Sequence, residues 1–314
     1  MSDLLKNIDA RTKLAGTNKL EILMFSLGLD MRTGRDETFG INVFKVREVM
    51  RIPPITRAPE MPPAVEGMVS LRGALVPVID LAKYIGLVTE GKPEIMIVTE
   101  YNGHTQGFLV KSVDNILRLD WSAMRVPPAM LVAEMGGLVT AITELKDKRL
   151  VMMIDVEKVL AETGHFATDE VIFNAVKPLG KENRTVFFAD DSAVARSQIT
   201  RTLDAMGVKH ISAINGRQAW IELSKMADYA EQSNIPMKDM VQVILTDVEM
   251  PEMDGYMLTR KIKEDKRFSG IPVLMHSSLS SSSNQQLGKT VGVDEYIPKF
   301  EPQKLSQALS RLLA

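Results

Sequence analysis

The chain has 314 residues, 45% apolar and 25% charged, enough for about two globular domains with buried cores. Its 38 Lys+Arg against 40 Asp+Glu leave a net charge of −2, without the basic excess of a nucleic-acid-binding protein. Cys is absent, which excludes disulfide scaffolds, thiolate metal sites and cysteine nucleophiles, and His104, His165, His210 and His276 are too scattered for a His-based metal site.

The first residues, MSDLLKNIDARTK, carry no apolar signal core. No apolar run approaches the ~18 residues that span a bilayer, so the expectation is a cytoplasmic protein without membrane insertion. Leu4, Leu5, Ile8 and Leu14 allow a short amphipathic helix over 3–18. Residues 20–160 then run as short apolar stretches with β character at 22–27, 41–50, 74–79, 95–99, 107–113, 138–142 and 150–154. Gly, Pro and Asn punctuate them, which suggests barrels or a sandwich. The Pro-rich stretch 53–63 reads as an irregular connection, because Pro cannot donate to a ladder.

An internal repeat runs through this region. ALVPVIDLAKYI (74–85) resembles RLVMMIDVEKVL (149–160), and GINVFKVREV (40–49) echoes GFLVKSVDNI (107–116), in the same order. Two similar β units in tandem are expected. In both, a strand ends in Asp before a short helix, so Asp80 and Asp155 suit N-caps. GLVTEGKP (86–93) has the glycine and lysine spacing of a P-loop, but Pro93 stands where the hydroxyl ligand should be, and nucleotide binding is not expected.

Residues 164–183 lack a sustained period and read as a linker, placing domains at 18–163 and 184–314 after an N-terminal segment, 1–17. The second domain alternates apolar runs (185–189, 209–213, 241–245, 271–275, 295–298) with helical periods (193–206, 216–229, 254–263, 302–313). That is the pattern of a doubly wound α/β fold with a parallel five-stranded sheet. Residues 226–240 make an unusually long connection between its second helix and third strand.

Ligands of such sheets bind beyond the carboxyl ends of the strands. Asp190 and Asp191 follow the first strand, Asp247 the third, Ser277 ends the fourth and Lys299 follows the fifth. Crowded carboxylates suit a hard cation such as Mg²⁺. A carboxylate can attack phosphorus to give an acyl phosphate, with a nearby lysine neutralising the transferring group. Taken alone, the residues also admit a phosphohydrolase, with Glu249 two positions beyond the nucleophile as acid–base.

FADDSAVAR (188–196), LTDVEMPEMDG (245–255), PVLMHSS (272–278) and YIPKF (296–300) resemble the response-regulator receiver domain, a flavodoxin-like fold. The resemblance implies Asp247 as phosphoacceptor and Asp190, Asp191, Asp247 and the Glu249 backbone carbonyl as Mg²⁺ ligands. It further implies Ser277 as switch hydroxyl, Lys299 as catalytic lysine and Tyr296 as switch aromatic. Receivers usually follow that lysine with Pro; here Phe300 does so, which leaves the lysine's orientation open.

Residues 39–87, and above all GMVSLRGALVPVIDL, resemble the CheW-like coupling domain of bacterial chemotaxis. That family implies two intertwined five-stranded SH3-like barrels and an adaptor that docks on chemoreceptors and on the histidine kinase CheA. Arg72, in a turn beside Leu71, is the principal interface candidate, with Val46, Glu48, Ile55 and Arg57 beside it. Together the two resemblances imply a chemotaxis adaptor at membrane receptor arrays. Phosphoryl transfer to Asp247 would regulate it, or make it a phosphate sink, and it would catalyse only its own phosphorylation and dephosphorylation.

Overall fold

A computed structural model describes residues 19–57, 59–101, 104–163, 176–180, 183–277 and 288–313. The helix expected over 3–18 and most of the 164–183 linker lie outside the described residues. The chain divides into two units, one built mainly on residues 20–164 and the other on 165–314.

The first unit contains β1 (Lys19–Ser26), β2 (Thr38–Asn42), β3 (Val46–Arg51), β4 (Val65–Leu71), β5 (Ala74–Asp80) and α1 (Leu81–Ile85). These are followed by β6 (Ile95–Tyr101), β7 (His104–Val110), β8 (Ser112–Asp120), α2 (Ala129–Glu134), β9 (Val139–Glu144), β10 (Leu150–Ile154) and α3 (Val156–Thr163). They form two five-stranded sheets, ordered β8-β1-β2-β10-β9 and β3-β6-β7-β5-β4. Replacing each strand of one order by its repeat counterpart gives the other, so the tandem repeat is a repeat of structure. The sheets are intertwined, because each joins the first two strands of one repeat to the last three of the other.

The crossings lie inside two of the expected strands. The run 41–50 breaks at a 3₁₀ turn, Val43–Lys45, where the Asn42 side-chain oxygen accepts from the Phe44 N–H at 3.0 Å. The run 107–113 breaks at Lys111, whose N–H donates to the Ser26 carbonyl at 2.9 Å. Two parallel pairs, β10 on β2 and β5 on β7, close the exchange, with Met153 opposite Gly40 and Val78 opposite Gly107. Gly40 and Gly107 occupy matching places. A Cβ on Gly40 would lie 2.4 Å from Ile22 Cγ2, and one on Gly107 would lie 2.8 Å from Met96 Sδ. Large neighbours fill the space at both sites: at Gly40 the stiff, β-branched Ile22 would have to move, and at Gly107 the flexible end of Met96 would. Asp80 caps α1 through the Lys83 N–H at 3.1 Å, and Asp155 caps α3 through Glu157 and Lys158 at 3.0 Å each.

The second unit contains β11 (Thr185–Ala189), α4 (Ala193–Met206), β12 (Lys209–Ala213), α5 (Gly216–Gln232), α6 (Met237–Met240) and β13 (Val243–Thr246). It continues through α7 (Gly255–Glu264), β14 (Val273–Ser277), β15 (Glu295–Pro298) and α8 (Pro302–Leu312). Its sheet is parallel throughout and ordered β12-β11-β13-β14-β15. Alternate residues serve opposite faces. Val186, Phe188, Val243, Leu245 and Leu274 pack with Ile199, Leu203, Leu305 and Leu309 of α4 and α8. Phe187, Ile244 and Val273 pack with Leu223 and Leu258 of α5 and α7. Burial on both faces is why these strands read as continuous apolar runs. Each such side chain stabilises the fold by about 1.5–3 kcal/mol relative to exposure. The long connection 226–240 is a continuation of α5 to Gln232 followed by the single turn of α6.

Candidate functional site

The strand order of the second unit reverses at β11 and β13, and the crevice beyond their carboxyl ends is where the charged residues meet. Asp190 follows β11. Its Oδ1 accepts from the Ser192 N–H at 2.9 Å, while the Ser192 hydroxyl caps α4 through Ala195 at 3.3 Å. Asp247 follows β13. Its N–H donates to the Ala189 carbonyl at 2.8 Å, and its Oδ1 accepts from the Val248 N–H at 2.7 Å. Carboxylate oxygens of Asp190, Asp191 and Asp247 lie within 4.8 Å of one another.

Lys299 closes the cluster from the fifth strand. Its Nζ stands 3.0 Å from Asp190 Oδ2 and 3.0 Å from Asp247 Oδ2, with all three side chains buried. A buried ammonium is tolerated only with such partners. Lys299 reaches both carboxylates although Phe300, not Pro, follows it. Phe300 adopts a left-handed φ of 61°, unusual for a bulky residue, and the Lys299 N–H donates to the Ser277 carbonyl at 3.2 Å. Three carboxylates against one ammonium leave two negative charges in the cluster. That charge, together with all-oxygen donors, fits a hard dication such as Mg²⁺.

The loop beyond Asp247 is held by close backbone contact. A Cβ at Gly255 would lie 1.9 Å from the Asp247 carbonyl oxygen, and the Gly255 N–H donates to the Val248 carbonyl at 2.9 Å. Only glycine allows that approach. Asp254 caps α7 through the Met257 N–H at 2.7 Å, and burial pushes its carboxyl up to about 6. Glu249 is buried two residues beyond Asp247.

Ser277 is buried at the end of β14. Tyr296 on β15 is half-buried and packs beside Val248, Tyr256, Met275, Val291 and Val293. Its hydroxyl donates to the Tyr256 hydroxyl at 3.0 Å, and its ring lies where a Cβ of Gly288 would stand. Burial pushes the Tyr296 phenol up to about 12 and that of Tyr256 higher still. Sequence reasoning did not single out Tyr256, because an aromatic on the apolar face of a helix carries no separate signal. It also missed Arg196, whose Nη1 donates to the backbone carbonyls of Asp190 and Asp191 at 2.8 and 2.9 Å.

In the first unit, Arg72 and Gly73 form the two-residue turn between β4 and β5, with Leu71 opposite Ala74. Both turn residues have positive φ, 50° and 84°, as a type I′ hairpin requires. A non-glycine residue there is unusual, and Arg72 is exposed, its Nη2 3.0 Å from Glu48 Oε2. Leu71 and Ile55 pack at the margin of the core formed by Val69, Val76, Val78, Met96, Val98 and Leu109. Arg57 is exposed and pairs with Glu66 at 2.6 Å. Val46 is buried and paired with Thr99 in the ladder, so it presents little surface to a partner. Glu48 of β3 thus meets Arg72 at the β4–β5 hairpin, beside Leu71, whereas Val46 is a buried core residue.

Among the described residues, no helix is long and apolar enough to cross a membrane. The CheW-like domain family matches residues 23–164, and the response regulator receiver domain family matches residues 186–310. Chemotaxis protein CheV3 of Helicobacter pylori is 30% identical over 305 residues, 94% of this chain and 95% of its own. Chemotaxis protein CheV1 of the same organism is 29% identical over 334 residues, covering 100% of this chain and 99% of its own. The crystal structure of the scaffolding protein TtCheW from Thermoanaerobacter tengcongensis aligns with 44% of this chain and 89% of its own, at 31% identity and a TM-score of 0.39.

Proposed function

The chain belongs to the CheV family of chemotaxis coupling proteins, and from that premise we propose that it couples chemoreceptors to the histidine kinase CheA and accepts a phosphoryl group on Asp247. It is a chemotaxis signalling adaptor with a receiver domain; the coupling and the chemistry are the proposal. The observation that carries it is the meeting of Asp190, Asp191 and Asp247 with Lys299 at one crevice.

In this reading an oxygen of Asp247 attacks the phosphorus of a phosphohistidine. The P–N bond breaks, a P–O bond forms, and the histidine keeps the electron pair and later takes up a proton. The Val248 N–H on Oδ1 orients the Asp247 carboxylate for attack. The Lys299 ammonium, already 3.0 Å from Oδ2, neutralises negative charge on the transferring group. Asp190, Asp191, Asp247 and the Glu249 carbonyl would hold Mg²⁺, which when bound supplies further neutralisation of the phosphoryl oxygens. Dephosphorylation returns the carboxylate by attack of water at phosphorus, so the chain turns over no separate substrate.

Ser277 and Tyr296 are proposed as the switch. The Ser277 hydroxyl hydrogen-bonds a phosphoryl oxygen on Asp247, and Tyr296 repacks beside Tyr256. Docking of the first unit is assigned to the Arg72 hairpin, with Glu48, Leu71, Ile55 and Arg57 around it and Val46 supporting them. The same phosphoacceptance draws phosphoryl groups from the kinase, which is a sink for competing receivers. The proposed location is the cytoplasmic face of receptor arrays.

Acetyl phosphate, a small donor, tests the chemistry without the kinase. Incubated with Mg²⁺, the wild-type chain gains an acid-stable, base-labile phosphoryl group, and Asp247→Asn gains none. Equal labelling of Asp247→Asn would remove the assignment.

A further inference from the structure

Arg196 stands where helix electrostatics disfavours a cation. It lies one turn into α4, near the positive end of the helix dipole, and no acidic residue occupies that first turn. Helical side chains lean toward the N-terminus, so this guanidinium reaches back over the β11–α4 loop. There a single nitrogen, Nη1, donates to two consecutive carbonyls, Asp190 at 2.8 Å and Asp191 at 2.9 Å. It cannot act as the helix's cap, because the free N–H groups there need an acceptor, which the Ser192 hydroxyl supplies. These two peptide planes flank the Asp191 Cα, and the Asp190 N–H, donating to the Ala213 carbonyl at 3.2 Å, holds the plane before them, so the directions in which both side chains leave the backbone are set.

We infer that Arg196 is a positioning residue for divalent-cation binding, holding the Asp190–Asp191 backbone so that its two carboxylates face Asp247. The inference rests on reading the acidic cluster as a cation site. It differs from a local charge effect in sign. A cation beside an acidic cluster weakens dication binding by repulsion, whereas a clamp on the loop strengthens it by pre-organising the ligands.

The test is calorimetric titration of the full chain with Mg²⁺ in wild type, Arg196→Lys, Arg196→Met and Asp191→Asn, with thermal melting in chelator alongside. Wild type binds Mg²⁺, and Asp191→Asn binds it markedly more weakly. Arg196→Met loses affinity on the order of tenfold, the effect of removing a residue that orients metal ligands. Arg196→Lys recovers part of the loss, because an ammonium can also bridge two carbonyls. The chelator-treated melting point of Arg196→Met stays at the wild-type value. Affinity in Arg196→Met equal to or tighter than wild type overturns the inference. So does a fall in melting point with unchanged affinity, which marks a purely structural role. A wild type that binds no Mg²⁺, or an Asp191→Asn variant that binds it normally, overturns the cation-site reading and this inference with it.

Discussion

Lys299 is the residue on which the acidic cluster balances. It is buried between Asp190 and Asp247, and neither carboxylate is exposed enough for water to replace it. Replacing it with Met leaves two buried carboxylates facing each other without their counter-charge. Lys299→Met is expected to lower unfolding free energy by about 3–5 kcal/mol in chelator, measured by chemical denaturation, and Mg²⁺ restores part of the loss. The strand-end residues are legible one by one in the sequence, because a charged side chain directly after a continuous apolar run marks the edge where a buried strand ends. Arg196 is not legible, because its role lies in hydrogen bonds to backbone carbonyls, which leave no pattern in side-chain types. Nor does the Lys299–Phe300 step show how the lysine points; that depends on the left-handed turn at Phe300.

At the scale of elements, α7 carries a cost at its start. Asp254 caps the helix but is almost fully buried, and desolvation raises its carboxyl to about 6. The folded state therefore keeps a proton that the unfolded chain releases near 3.8. The stability contributed by that protonated carboxyl is complete below pH ~4 and is lost as pH rises through about 6. Asn caps as well as Asp and carries no charge. Asp254→Asn is expected to stabilise the receiver by about 1–3 kcal/mol at pH 7, and the difference shrinks toward zero near pH 4. Denaturation curves of both proteins at the two pH values measure it. The βα alternation of this unit is plain in the sequence, since its central strands are buried on both faces. The β unit is harder to read. β4 is interrupted by Gly67, at a shift of register, and β8 is half-exposed and polar, so neither reads as an apolar run. The runs 41–50 and 107–113 each look like one strand because apolar residues stand on both sides of a crossover only a few residues long, Val43–Lys45 in the first and Lys111 in the second. The repeat is legible all the same, since matching residues at matching places do not depend on where a strand ends.

For the whole molecule, the proposed function gives docking to one unit and phosphoacceptance to the other, so the two tasks should be separable by mutation. Arg72→Asp reverses the charge at the proposed docking hairpin while leaving the acidic crevice intact. It should reduce co-sedimentation with receptor-bearing vesicles and CheA by about tenfold or more, the loss typical of a central interface arginine, with labelling by acetyl phosphate unchanged. Asp247→Asn should do the reverse, sedimenting as wild type while taking no label. Loss of both properties in either variant would show that the two tasks share one surface.

The most direct measurement of phosphorylation control is phosphoryl transfer from CheA itself. CheA labelled on its phosphohistidine is mixed with the chain and Mg²⁺, and the label on each protein is followed in time. Label is expected to leave CheA and appear on wild type, none is expected on Asp247→Asn, and chelator should stop the transfer. A competent kinase whose label stays in place with wild type, or moves equally to Asp247→Asn, would contradict phosphoacceptance at Asp247 and leave the chain a constitutive adaptor.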